Sequence, residues 1–150
     1  MYDNLGAELA FKSEKTRWAM INLWRPIETI RREPLALCDA RSTRDEDLVP
    51  VSIELPPKGR GNHDGVSGTD LISISIYYKQ HSPNEKWYYF EEMTPEEVLF
   101  VKIFDTIKDG KTARNSPHSA FDYSGNPGNL MRKSIEVRTL VFWEDQPIEG

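Results

Sequence analysis

Arg132-Lys133-Ser134-Ile135-Glu136-Val137-Arg138-Thr139-Leu140-Val141-Phe142-Trp143 is the stretch on which the reading of this chain turns. Side chains two apart on an extended strand share a face. Arg132, Ser134, Glu136 and Arg138 therefore fall on one side, with Ile135 and Val137 on the other. The run then continues into β-branched and aromatic residues. Four polar groups facing one way on such a strand call for a reason.

Working outward, Leu71-Ile72-Ser73-Ile74-Ser75-Ile76-Tyr77-Tyr78 alternates with period two and is the clearest strand signal in the chain. Ser82-Pro83-Asn84-Glu85 reads as a turn, with Lys86-Trp87-Tyr88-Tyr89-Phe90 as the returning strand of a hairpin. Further strand-like runs are Arg17 to Trp24, stopping at Pro26, then Leu35 to Ala40, Leu48 to Leu55, and Val98 to Phe104. Residues 3 to 16 are expected to form an N-terminal helix capped by Asp3. Thr94-Pro95-Glu96-Glu97 has the residues of a helix start. Residues 56 to 70 hold four Gly and two Pro and read as a mobile surface loop. About seven short strands with few helices predict a mainly β fold, an antiparallel sandwich or barrel of jelly-roll type.

Composition narrows the function. A length of 150 residues suits one domain, 1–150, with a real core. The net charge of −5 argues against nucleic acid as the main partner. No apolar run reaches membrane-spanning length, and the first residues lack a signal-peptide pattern. The single Cys38 rules out an internal disulfide framework and fits a reducing, cytoplasmic setting. One Cys and three His do not suggest a structural zinc site. A small-molecule ligand is left as the expected partner. A pocket for a small anion beside a metal-ligating histidine, His118 in Pro117-His118-Ser119-Ala120-Phe121, would explain the polar strand face.

Six segments in this order sharpen the reading: Asn22-Leu23-Trp24-Arg25-Pro26-Ile27, Pro34 to Ser42, Trp87-Tyr88-Tyr89-Phe90, Met93-Thr94-Pro95-Glu96-Glu97-Val98, Pro117 to Phe121, and Ser134-Ile135-Glu136-Val137-Arg138. Together they resemble the fungal AsaB / CmcJ-like hydroxylase/desaturase family, from about Asn22 to Phe142. The resemblance implies a double-stranded β-helix of the iron(II)- and 2-oxoglutarate-dependent oxygenase type, here the C-terminal part of a longer pattern. It implies His118 as the distal metal ligand. It implies Arg132 with Ser134, an Arg-x-Ser pair, or Arg138, as the grip on the oxoacid, with Asn22 and Arg25 as further cofactor contacts. Trp24, Trp87, Tyr88 and Tyr89 would wall an apolar substrate. A guanidinium suits a carboxylate because it donates two parallel hydrogen bonds.

The sequence also departs from that pattern. It contains no His-x-Asp or His-x-Glu, the pair that would supply two more ligands. His63 and Asp64 are adjacent and would point to opposite faces of a strand. The family's Phe-Lys-x-Tyr-Asp-Ser segment reads Val101-Lys102-Ile103-Phe104-Asp105-Thr106 here, so a hydroxyl is missing at Phe104. Iron(II) is usually held by three protein donors, so weak iron binding by this chain alone is expected.

Each assignment has a plainer counterpart. His118 is either a ligand or a hydrogen-bonded structural histidine. The polar face of 132–138 is either an oxoacid grip or a solvated surface, with Glu136 orienting an arginine. Trp24 is either core or pocket, and Arg25 either pocket or surface pair. Asp39 and Arg41, placed on one strand face, form either an ion pair with another strand or a pocket contact. The aromatic run at 87–90 either packs a hairpin or faces substrate. Three functions follow: an oxidoreductase of fungal secondary metabolism, a catalytically inactive or accessory jelly roll, and a methyltransferase-associated protein. No Gly-rich strand-to-helix turn supports the last. Open sheet edges would favour a homo-oligomer or a complementing chain.

Overall fold

The computed structural model describes residues 6–55, 72–122 and 131–148, with backbone alone at 53–55 and 72–75. Among these residues there are one α-helix, α1 (Ala7–Lys15), and eight strands. These are β1 (Thr16–Pro26), β2 (Leu35–Cys38), β3 (Leu48–Leu55), β4 (Ile72–Lys79), β5 (Trp87–Tyr89), β6 (Leu99–Asp105), β7 (His118–Ala120) and β8 (Ser134–Pro147). The chain divides into two compact units, 1–42 with 85–150, and 43–84. Every strand pair among the described residues is antiparallel.

In the larger unit β1 lies between β6 and β8, and β2 lies between β5 and β7. β1 buries Trp18, Met20, Asn22, Trp24 and Pro26 at every second position, as a strand packed on one face must. Pro26 is the last residue of the strand rather than a stop before it, a place where a missing N–H costs no ladder bond. Trp24 meets Ile30, Leu35, Met93 and Val101, with Leu37, Leu99 and Ile103 packed around them. The cluster joins the inner face of the β6-β1-β8 sheet to the inner face of the β5-β2-β7 sheet.

The second support is ionic. The Asp105 carboxylate, fully buried, accepts from Arg17 Nε at 3.1 Å and Nη2 at 2.8 Å, from Lys102 Nζ at 2.9 Å and from the Ile107 N–H at 3.0 Å. The Arg17 guanidinium lies 4.1 Å from the Trp143 ring and donates to Gln146 at 2.9 Å. One buried acid thus ties β1, β6 and β8 together where a bulge interrupts the β1–β6 register between Met20 and Ile21. Burial alone would raise the Asp105 carboxyl. The hydrogen bonds from Arg17, Ile107 and Lys102 outweigh it and hold the group down at about 2.

In the smaller unit β3 and β4 pair from Leu48↔Lys79 to Leu55↔Ile72. Asp47 is buried there beside Arg44 at 2.7 Å and Lys79 at 3.8 Å.

Several expectations need correction. β4 does not return along β5: β4 pairs with β3, and β5 bonds to β2 with Leu37 opposite Tyr88. Turn residues at 82–85 mark a change of direction, but they do not choose the partner. Thr94–Glu97 is a capped turn, not a helix. Glu97 Oε2 accepts from the Thr94 N–H at 2.7 Å, and the Glu97 N–H returns to Thr94 O at 3.1 Å. The apolar run that follows then enters β6. α1 starts at Ala7 with Gly6 in the capping position, and Asp3 lies outside the described residues. β2 ends at Cys38, so Asp39 and Arg41 are not strand neighbours. A 3-10 turn over Ala40–Ser42 folds them onto each other, Arg41 Nη2 to Asp39 Oδ2 at 2.7 Å. That pairing, with the Arg41 N–H, holds the Asp39 carboxyl at about 2. The 56–70 loop and the His63-Asp64 pair lie outside the described residues.

Two outcomes test this account. Asp105→Ala strands Arg17 and Lys102 and is expected to cost about 3–5 kcal/mol in chemical denaturation. An acid with a folded value of about 2 and an ordinary value of 3.8 stabilises the fold above 3.8 and loses that contribution as pH falls through about 2. Asp105→Asn should therefore flatten the loss of stability between those values; an unchanged acid limb contradicts the assignment. Trp24→Ala is expected to cost about 3–5 kcal/mol, whereas Trp87→Ala should cost less than about 1 kcal/mol.

Candidate functional site

Register decides which side chains can meet. Directly opposed residues of antiparallel strands share a face. Tyr88, Leu37 and His118 form one row across β5, β2 and β7. Leu37 packs on the core cluster, so Tyr88 and His118 stand on the inner face of their sheet. On the facing sheet, Val101, Asn22 and Arg138 form one row, and Leu99, Trp24 and Glu136 the next. Val101 and Trp24 are core, so Asn22, Glu136 and Arg138 also look inward. His118 thus lies on the core-facing side of one sheet and Glu136 and Arg138 on the core-facing side of the other, all three exposed.

His118 is exposed, and its Nδ1 lies 2.9 Å from Ser116 O. A carbonyl only accepts, so Nδ1 carries the hydrogen, which makes Nε2 the ring nitrogen available as a donor to a metal. That is how a histidine is oriented for a metal. Ser116 is itself tied to β6 by its N–H to Lys102 O at 2.8 Å.

Asn22 is 1% exposed. Its Nδ2 donates to Glu136 Oε1, and its Oδ1 accepts from Arg138 Nε at 3.2 Å. Among the described residues, Glu136 is linked to Arg138 through Asn22. Arg132 precedes β8. It donates to Glu33 O at 2.7 Å, and its guanidinium lies 5.5 Å from the Trp24 ring. Glu33 has φ of 50°, so this contact steadies a left-handed residue. Ser134 stands opposite Pro26 at the end of the ladder.

The remaining candidates separate. Arg25 falls on the outer face of β1, opposite Ile135, and donates to Pro95 O at 2.6 Å. It shares no face with Asn22. Trp24 is 4% exposed and belongs to the core. Trp87 and Tyr89 pair with Cys38 and Ala36, on the opposite face from His118. Trp87 Nε1 donates to Glu85, and Tyr89 meets the Phe121 ring edge-on at 5.0 Å. Of the residues in β5, only Tyr88 shares the inner row. The missing hydroxyl at Phe104 leaves a ring packed on Trp18 at 5.1 Å and under Arg114 at 5.5 Å.

Sequence reasoning passed over the Arg17–Asp105–Lys102 cluster. An aspartate closing an apolar β run was its available signal. The open cleft of about 320 Å³ beside it is lined by Arg17, Thr106, Ile107, Asp145, Gln146 and Pro147. Its guanidinium is already committed to Asp105 and Gln146.

Among the described residues, no group of three or more His, Cys, Asp or Glu converges on a point where a metal ion could sit. His118 alone does not satisfy iron(II), which usually takes three protein donors. Nor is any helix among the described residues long and apolar enough to cross a membrane.

Comparison with known proteins places this geometry. A family model described as "Oxidoreductase/YMDC permease-like domain" matches residues 1–142. The chain is 40% identical to the hydroxylase/desaturase asaB of Aspergillus flavus, over 97% of its own length and 64% of that protein. It is 49% identical to the hydroxylase/desaturase efuI of Hormonema carpetanum, over 90% of its length and 44% of that protein. The solved iron and alpha-ketoglutarate-dependent endoperoxidase NvfI superposes with a TM-score of 0.69 at 26% identity, covering 94% of this chain and 47% of that one. The chain thus spans from under half to about two thirds of these relatives. The two facing antiparallel sheets are those of a double-stranded β-helix, and the all-antiparallel pairing gives no support to a methyltransferase's parallel sheet. The chain belongs to the fungal AsaB-like hydroxylase/desaturase family, related to the iron- and 2-oxoglutarate-dependent oxygenases.

Proposed function

We propose that this chain forms part of an iron(II)- and 2-oxoglutarate-dependent oxygenase that hydroxylates or desaturates a small apolar molecule. One observation supports the reading: the row containing His118 and the row containing Arg138 each lie on the core-facing side of their sheet. In this reading His118 offers Nε2 as one metal donor. Arg138 grips the oxoacid, because Arg132 is already bound to Glu33 O and covers Trp24. Tyr88 and Leu37 supply the apolar wall beside His118. Two further metal donors must come from residues beyond the described ones, in this chain or in another.

A second reading, a ligand-binding jelly roll without turnover, is favoured by the lack of a three-donor group among the described residues. Iron-dependent release of succinate from 2-oxoglutarate separates the two readings.

With one donor among the described residues, iron(II) titration of the chain is expected to show weak binding. His118→Ala should reduce it to background, and His81→Ala should leave it unchanged. Tight stoichiometric iron(II) binding that survives His118→Ala would overturn the assignment.

A further inference from the structure

Glu136 and Arg138 stand two residues apart on one face of β8, so their backbones are only about 7 Å apart. Both side chains are long, exposed and oppositely charged. Left to themselves, they would close into an ion pair. Neither is ion-paired among the described residues, and the Asn22 amide lies between them. A carboxylate only accepts and a guanidinium only donates. The amide is the one neutral group of its size that serves both, NH2 toward Glu136 and carbonyl toward Arg138. Asn22 engages Arg138 through Nε alone, which leaves the Nη edge of the fork without a partner among the described residues.

We propose that Asn22 is a positioning residue that keeps an internal carboxylate, Glu136, from occupying Arg138, so that the guanidinium stays open to the carboxylate of an exogenous small acid. The identity of that acid rests on the oxygenase reading above; the separation of Glu136 from Arg138 does not. Burial fixes the spacer: Asn22 is 1% exposed on the central strand, with Arg138 directly opposite and Glu136 one row away. Arg138 thus presents a preset fork instead of one that must first be freed from a competitor.

Removing the amide should release the competitor. In Asn22→Leu, Glu136 and Arg138 are expected to pair. Rotation of the Arg138 guanidinium, followed by nitrogen NMR, should slow, and affinity for 2-oxoglutarate by calorimetry should fall about tenfold. Asn22→Leu with Glu136→Gln should restore both, because no internal carboxylate remains. Glu136→Gln alone keeps the amide contact and should bind 2-oxoglutarate at least as tightly as the unmodified chain, a check that stands even if the leucine variant does not fold. Unchanged guanidinium rotation in Asn22→Leu, failure of the double variant to recover, or weaker binding in Glu136→Gln would each overturn the proposal. If the unmodified chain binds no 2-oxoglutarate while the guanidinium still slows in Asn22→Leu, the oxoacid reading fails and the spacer role of Asn22 stands.

Discussion

The ladder on both sides of β1 is the constraint from which the rest of the larger unit follows. A strand bonded to β6 on one edge and β8 on the other cannot slip in register without moving every side chain to the wrong face. Its inward positions are Trp18, Met20, Asn22, Trp24 and Pro26. Trp24 anchors the apolar contact to the second sheet, and Asn22 is the one inward position that carries an amide. Asp105 fixes the far end of the same strand through Arg17. Hydrophobic packing thus holds one end of β1 and a buried ion pair holds the other, with the polar site between them.

The period-two pattern makes the strands legible, and the alternation of 132–138 by itself puts Glu136 and Arg138 on one face. What the pattern could not supply was partners. A strand's side-chain alternation is the same whichever neighbour it takes, so β5 beside β2, and not beside β4, is a tertiary choice. The aromatic run shows the consequence. With the register in hand, Tyr88 separates from Trp87 and Tyr89 by a half-turn of the pleat, and only Tyr88 joins the row of His118. Arg25 fails for the same reason: it is one residue from Trp24 and therefore on the other side of the sheet. The Thr94–Glu97 signature has the residues of a helix start, but here the Thr94 hydroxyl donates to Glu97 instead of capping a backbone N–H, and the Glu97 carboxylate satisfies the Thr94 N–H with no helix following.

The candidate site is likewise partly written in the sequence. His118 is exposed on the core-facing side of its sheet, with Nδ1 bound to the Ser116 carbonyl and Nε2 left as its other ring nitrogen. A lone imidazole nevertheless cannot define a metal site, since coordination number is a property of several converging groups. Membership in a family of oxygenases and the described donor set therefore speak to different questions. The first says what chemistry the fold has served in longer relatives, of which this chain spans 64% and 44% in two cases. The second says how much of that chemistry the described residues can support.

The choice of residue at position 22 makes sense on these terms. Aspartate there would face Glu136 with a second acceptor and bind Arg138 as a carboxylate, neutralising the fork from within. Serine would be too short to touch both partners from the centre of β1. Leucine would suit the burial but leave Glu136 and Arg138 to find each other. Only a primary amide is uncharged, planar and both donor and acceptor at this length. A single buried amide, costly unless both ends are satisfied, is kept here because each end answers a different charge on the neighbouring strand.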